Sequence, residues 1–436
     1  MTNLYTDLTQ EAAIPAFEIS VNSEQLVDGC IKLNTLRKPE GALTVFSVDT
    51  VNHVTYPWEW SNRRLFEAGV FLLALRERLL TAGFDLKDAF AHNITFVNGK
   101  PILVDLGSIT RWDNRPTWVA FRQFVEQFIN PLAISANSSF ASSDLYRINR
   151  LAGVHSLNAR RTLRIRHRLS PRLALVQKIA TPSKTTKQFV ELDKQSDSVL
   201  ALRATTRQSQ NLAKCLSQIY AWINPTMSTW REYSKREHYF VGDLERKKSF
   251  ALRFVSSFGS KSLCVMDIGG NDGLIAKYLS DVTKNQVFVL DSDAGALEVG
   301  EAGLSPSSKV SMCRSDLFEC LRASYESAAE FPSLVSRIQP DVVLCHAVLH
   351  HVVITQAVPL VEVVKALRSL NCPVQVEFVD ENDEKVQQLI ADIRNWAGRY
   401  SRSGFEALCQ SMFQKVRHVG TTSESRHVYE LFPSLK

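Results

Sequence analysis

Four groups of polar residues in the C-terminal half of the sequence have the types and spacing of a nucleoside site. The first is Asp267-Ile-Gly-Gly-Asn-Asp-Gly273, which follows the apolar run Leu263–Met266. Its glycines Gly269, Gly270 and Gly273 let a backbone turn tightly and approach a ligand closely. Their spacing is not G-x-G-x-x-G, which argues against a pyrophosphate seated on a helix end and so against NAD or FAD. The second is Asp291, at the end of Val287-Phe-Val-Leu290, where an acid can accept hydrogen bonds from both hydroxyls of a ribose. The third is Asp316, after Ser311-Met-Cys-Arg-Ser315, within reach of a base's exocyclic amine. The fourth is Asp341-Val-Val-Leu-Cys-His-Ala-Val-Leu-His-His351, which brings His346, His350 and His351 to the end of an apolar stretch. The expected ligand-binding residues are Asp267, Ile268, Gly269, Gly270, Asn271, Gly273, Asp291, Ser292, Asp316, Leu317 and His346.

These groups need a scaffold that brings them together. A helix is expected near Leu244–Phe258, with strands at Ser262–Met266, Val287–Leu290, Val342–Leu344 and Val374–Phe378 and helical stretches between them. Short apolar strands alternating with helices imply a mostly parallel sheet covered on both faces. Open sheets of this kind bind ligands beyond the carboxyl ends of their strands, where all four groups fall. Residues 239–436 are therefore expected to form one α/β, Rossmann-like domain.

The order of the glycine loop, Asp291, Asp316 and Leu349-His-His351 resembles the class I S-adenosylmethionine-dependent methyltransferases, although Gly270-Asn271 replaces the commoner pair in the loop. A closer resemblance, covering most of the chain, is to the bacterial group that includes the nodulation-factor methyltransferase proteins. It rests on Tyr56-Pro-Trp-Glu-Trp-Ser61, Leu86-Lys-Asp-Ala-Phe-Ala-His-Asn93, a hairpin ending in Asp105, Arg122-Gln-Phe124, Val376-Glu-Phe378, Phe405-Glu-Ala and a last strand near Val428–Phe432. The resemblance implies S-adenosyl-L-methionine as cofactor and O-methylation of a sugar or similar cell-surface precursor.

Transfer to oxygen gains from a general base. His350 and His351 titrate near neutrality and are the expected bases, their other role being to pack on the cofactor. Glu377 could assist or bind a sugar hydroxyl, or else act as a helix-capping acid beside Asp380 and Glu381. Trp230, Tyr233 and Tyr239, just before the domain, could lid the site or pack between domains.

Residues 1–136 carry an amphipathic helix over Ser61–Leu80 and a hairpin in which Asn98-Gly99 joins two β-rich runs. The order Asp88, Asn93, Asp105-Leu-Gly107 resembles the catalytic and metal-binding positions of kinases and aminoglycoside phosphotransferases, a base plus two oxygen ligands for magnesium. However, the His-Arg or His-Gly pair before the Asp is missing, with Phe84-Asp-Leu-Lys87 in its place, and no phosphate loop is visible in the first fifty residues. An α+β domain resembling a degenerate kinase C-lobe is expected. A bifunctional methyltransferase and kinase is the alternative, and a non-catalytic binding protein retaining the fold is a third. Residues 137–238 read as a basic, mostly helical connector, with a linker at Thr181–Lys187.

Composition bounds the remaining classes. The chain has 436 residues, 45% hydrophobic and 22% charged, with a formal net charge of +6. That balance permits an anionic partner without calling for nucleic acid, which is not expected. The basic stretch 160–187 could hold an anionic precursor or a membrane surface, or could be a solvated helix face. The eight cysteines lack metal or redox spacing, so no metal site is expected, and several lie in apolar runs. No run reaches the ~20 apolar residues of a membrane span, and the N-terminus is not a secretory signal. A cytoplasmic enzyme with a small-molecule or glycan substrate is expected.

Overall fold

Side chains from Leu8 to Ile219 share one apolar core in the N-terminal half of the computed structural model. The model describes residues 2–19, 46–181, 198–223, 242–259, 262–305, 308–323, 331–393 and 400–433. Trp230, Tyr233, Tyr239 and most of the expected Thr181–Lys187 linker lie outside these residues.

The long N-terminal helix spans Asn62–Thr81, its start capped by the Ser61 side chain, which accepts from the Arg64 amide. Its apolar positions Leu65, Ala68, Leu72, Leu75 and Leu79 are all buried, as their three- and four-residue spacing requires. The hairpin pairs β4 (Ile94–Val97) with β5 (Lys100–Leu103), after the short strands β1 (Phe17–Ile19), β2 (Phe46–Val48) and β3 (Phe84–Leu86), and β6 (Ile109–Arg111) pairs with β3. Asn98 and Gly99 both take positive φ, 49° and 76°, as a two-residue turn requires. The segment expected as a connector contributes Leu163, Leu173, Leu212 and Leu216 to the same core as Leu65 and Leu72. Helix Ser198–Tyr220 is also tied to Asn62–Thr81 by polar bonds. Arg76, fully buried, makes a bidentate pair with Asp85 at 2.7 and 2.9 Å and donates to Thr205 Oγ1 and Ser209 Oγ, each at 2.6 Å.

The C-terminal half is built on a seven-stranded sheet: β7 (Cys264–Ile268), β8 (Gln286–Asp291), β9 (Val310–Arg314), β10 (Val342–His346), β11 (Val374–Val379), β12 (Lys415–Ser423) and β13 (Arg426–Phe432). Its spatial order is β12-β13-β11-β10-β7-β8-β9. Pairs from β9 across to β11 are parallel, and β13 is antiparallel to both β11 and β12. The sheet is therefore mixed. The strands β7 to β11 are mostly apolar because both faces are covered. Two cores, one on each face, draw on alternate residues of the same strands: Met266, Phe288 and Val343 on one, Val265, Val287 and Val342 on the other.

The edge strand β12 has no counterpart among the sequence expectations. Its Lys-Val-Arg-His-Val-Gly-Thr-Thr-Ser composition is polar and mostly solvent-facing, and its register with β13 shifts twice, so it lacks an apolar period to read. The chain leaves β7 for β8 and β9 on one side and returns to place β10 on the other. That reversal opens a crevice between the loops after β7 and β10.

Candidate functional site

The glycine loop is shaped by the backbone at Gly269 and Gly273, with φ of 71° and 74°. Each also sits where a Cβ would overlap a neighbour, 2.2 Å from Val348 Cγ2 and 2.6 Å from Met312 Cε respectively. Only glycine meets both demands. Gly273 then starts helix Leu274–Val282.

This loop borders a cavity of about 320 Å³ at the carboxyl ends of the central strands. Asp267, Ile268, Gly269, Gly270, Asn271, Asp291, Ser292, Asp316, Leu317 and His346, spread over 80 positions of sequence, all line it. Gly273 lies just behind, in the turn that starts the helix.

Asp291 ties the loop to β8. Its Oδ2 accepts from the Asn271 amide at 2.9 Å and its Oδ1 from Asp293 at 2.8 Å. Burial pushes its carboxyl up to about 6, against the pull of those amide donors. Asp316 caps its own turn, its Oδ1 accepting from the amides of Phe318 and Glu319, both at 2.8 Å. Asp267 is 2% exposed, and its Oδ2 meets no hydrogen-bond donor among the described residues. Burial first, then Asp291, raises its carboxyl to about 7, opposed by Lys247.

His346 has a defined tautomer. Gln375 Nε2 donates to the Phe250 carbonyl at 3.1 Å, so its Oε1 must accept from His346 Nε2, 3.0 Å away. His346 Nδ1 is then a bare acceptor, buried and without a protein partner among the described residues. Burial lowers this imidazole to about 4, which keeps it neutral.

The structure separates the three residues expected to do catalysis. His351 lines the cavity, at the start of a π-helical turn over His351–Thr355. Burial, then Arg426, lowers its imidazole below the ordinary histidine value. His350 does not line the cavity and is 4% exposed, its ring 4.1 Å from that of His351. Glu377 is fully buried on β11 and also absent from the lining. Its Oε2 pairs with Lys247 Nζ at 2.8 Å, and its Oε1 accepts from Thr422 Oγ1. Burial works to raise that carboxyl, but Lys247, His346 and Thr422 outweigh it and hold it below the ordinary range.

Lys247 itself, on helix Asp243–Ser256, lines the cavity and was not among the expected residues. It reads in sequence as one of a polar Glu-Arg-Lys-Lys run, and only its 4% exposure distinguishes it.

The donor set fits S-adenosylmethionine. Asp291 suits the ribose hydroxyls and Asp316 the adenine amine. The Asp267 carboxylate on the cavity wall suits the ammonium of the methionyl end, and Lys247 suits its carboxylate.

A second cleft adjoins the first and shares Asp316 and Phe318 with it. Its wall mixes guanidinium and carboxylate groups: Arg147, Glu319, Arg322 and Glu362. Arg147 comes from the N-terminal half, on helix Ser142–Ile148, and pairs with Glu319 at 2.9 Å.

The two halves meet through buried and half-buried ion pairs. Glu59 accepts from Arg337, whose guanidinium also lies 4.4 Å over the Tyr56 ring. Arg64 pairs with Glu301 at 3.2 Å, and Ser61 donates to the same carboxylate. Arg314 pairs with Asp144 at 2.7 Å. The Tyr56–Ser61 element thus holds the C-terminal sheet.

The residues of the kinase resemblance are partly brought together. Asn93 Nδ2 donates to Asp105 Oδ2 at 3.0 Å, Ser108 Oγ donates to the same oxygen at 2.8 Å, and the Gly107 amide donates to Oδ1 at 3.0 Å. Among the described residues, no group of three or more His, Cys, Asp or Glu side chains is arranged to hold a metal ion.

No family model matches the chain. It is 29% identical over 383 residues, 85% of this chain and 77% of the relative, to nodulation protein NoeA of Rhizobium meliloti strain 1021. Among solved structures, the bifunctional kinase-methyltransferase WbdD is similar over 47% of this chain and 41% of its own, at 17% identity and a TM-score of 0.32. The chain therefore spans under half the length of that protein. Magnesium protoporphyrin IX methyltransferase of Synechocystis PCC 6803, with bound S-adenosylmethionine, is similar over 44% of this chain and 80% of its own, at 14% identity and a TM-score of 0.31. The chain is thus similar over most of its length to the nodulation protein NoeA, and its C-terminal half has an α/β fold built on a mixed seven-stranded sheet.

Proposed function

We propose that this chain transfers a methyl group from S-adenosylmethionine to a hydroxyl of a carbohydrate or related cell-surface precursor. The observation that carries the reading is the convergence of Asp267, Asp291, Asp316 and Lys247 on one cavity at the carboxyl ends of the strands.

When bound, the cofactor supplies a methyl group on a sulfonium, already a strong electrophile. The chain's work is then positioning, desolvation and proton removal. Asp291 and the loop it braces hold the nucleoside, and Asp267 and Lys247 hold the methionyl end. His351 is the base, since it lines the cavity and its lowered affinity for protons keeps it neutral and ready to accept one. His350 supports it by packing, and Glu377 acts through Lys247. The hydroxylated acceptor lies in the adjoining cleft, where Arg147, Arg322, Glu319 and Glu362 offer alternating donors and acceptors suited to a polyol. Residues 239–436 are the methyl-transfer domain, and residues 1–136 with the following helices are a kinase-like scaffold that lends Arg147 to the acceptor. The similarity to a nodulation protein is consistent with a cell-surface glycan precursor.

Calorimetry with S-adenosylmethionine tests this reading, with Asp291→Ala as control. Binding by the wild type that the variant loses supports it, and equal binding by the two sinks it.

A second reading, phosphotransfer at Asp88, Asn93 and Asp105, has the 3.0 Å Asn93–Asp105 contact in its favour. The missing His-Arg or His-Gly pair before Asp88 favours the scaffold role. Magnesium-dependent ATP binding that Asp105→Ala abolishes would establish the second reading.

A further inference from the structure

The helices Ser156–Thr162, Ile165–Arg168 and Pro171–Ala180 bury one apolar side and expose another. Leu163, Leu173 and Val176 enter the N-terminal core. On the outer side, Leu157 is 51% exposed, Ile165 75%, Leu169 72%, Leu175 57% and Ile179 54%. In the last helix Arg172, Leu175 and Ile179 fall at three- and four-residue steps and so share one face.

The charge on this surface has one sign. From residue 145 to residue 181 the sequence has nine Lys or Arg and no Asp or Glu. The six arginines from Arg160 to Arg172 and Lys178 are all exposed. Among the described residues, none of them forms an ion pair with a carboxylate. A solvated basic face would not need five protruding aliphatic side chains among its arginines, and isolated aliphatics would not need the arginines.

We propose that this face docks on an anionic lipid surface, its aliphatic side chains entering the headgroup boundary and its guanidiniums pairing with lipid phosphates. Charge complementarity selects an anionic partner. The protruding residues select a bilayer over nucleic acid, because single-stranded nucleic acid is bound by stacking on aromatic rings. Residues 156–180 contain no Phe, Tyr or Trp. No helix among the described residues is long and apolar enough to cross a membrane, so attachment would be peripheral. The face also begins near the acceptor cleft: Arg147 lines that cleft, and the next residue, Ile148, is 79% exposed.

Sedimentation of the full chain with vesicles tests the proposal. Vesicles of phosphatidylcholine alone are compared with vesicles containing phosphatidylglycerol as a minor component, at low and near-physiological salt. The wild type is expected to sediment with the anionic vesicles only, less so as salt rises. The Ile165→Ser, Leu169→Ser, Leu175→Ser triple variant is expected to bind at least about tenfold more weakly. Arg166→Gln and Arg168→Gln each weaken partition about fivefold. Equal sedimentation with neutral vesicles, or none with anionic ones, overturns the proposal. So does an aliphatic triple variant that still binds anionic vesicles and duplex DNA as the wild type does, which identifies a general polyanion surface. All substituted positions are exposed, so circular dichroism should be unchanged. Cofactor calorimetry on the same samples reports on methyl transfer separately from the vesicle result.

Discussion

Lys247 Nζ and Glu377 Oε2 sit 2.8 Å apart with side chains 5% and 0% exposed, joining the helix that precedes the sheet to its interior strand β11. Lys247 also faces Asp267, so one ammonium serves two buried acids, one of them on the cavity wall. Removing it leaves Glu377 as an uncompensated interior charge. Lys247→Met should destabilise the protein by about 3–5 kcal/mol in urea unfolding and weaken cofactor binding as well. Lys247→Met with Glu377→Leu should recover most of the stability without recovering affinity. A double variant as unstable as the single would refute the pair's role.

Asp267 links cofactor binding to pH. Its folded carboxyl is raised to about 7, above the ordinary ~3.9. The stability it contributes is therefore fully present below about 4 and lost as pH rises through about 7. Binding a cationic ligand requires the ionised form, so affinity should rise with pH through the same interval and binding should release a proton. Calorimetry in buffers of different ionisation enthalpy measures that release. In Asp267→Asn the inflection near 7 should vanish, leaving the one near 6 that belongs to Asp291.

The adjacent histidines His350 and His351 should behave differently. His351→Ala should lower kcat by about 100-fold or more with little change in cofactor affinity, the loss expected for a general base. His350→Ala should mainly lower thermal stability, because His350 is buried beside His351 and does not line the cavity. Steady-state kinetics of both variants decide the assignment. The reverse pattern would exchange the roles.

Arg337 fastens the halves of the chain. Its guanidinium and the Glu59 carboxylate are 7% and 6% exposed, and the Tyr56 ring lies beneath it. Arg337→Ala should cost about 3–5 kcal/mol by stranding Glu59. Proteolytic cleavage in the described segment between Val48 and Tyr56 should accelerate. A double-mutant cycle with Glu59→Gln should show a coupling above ~1 kcal/mol. Additivity of the two substitutions would disprove the fastening.

The sequence by itself determined what depends on local order. The amphipathic helix over Asn62–Thr81 shows in leucines at helical spacing, and the hairpin shows in Asn98-Gly99. The strands β7, β8, β10 and β11 stand out because, buried on both faces, they are mostly apolar. Ten of the eleven residues expected at the site line one cavity because each lies at or just past the carboxyl end of a strand, and strand ends converge in such a sheet.

Tertiary structure alone decided the rest. Lys247 reads as a surface lysine until the helix docks it on Glu377. Glu377 looks available in sequence, yet β13 and β12 close over it, and β12 was itself illegible because an edge strand needs no apolar period. His350 and His351 are adjacent and alike, and only the π turn after Val348 sends one to the cavity and the other into the packing. The Tyr56–Ser61 element became an interdomain contact only once Arg337 and Glu301, more than 200 positions away, were placed against it. Local periodicity reports burial along one element, whereas a site and an interface depend on which elements meet.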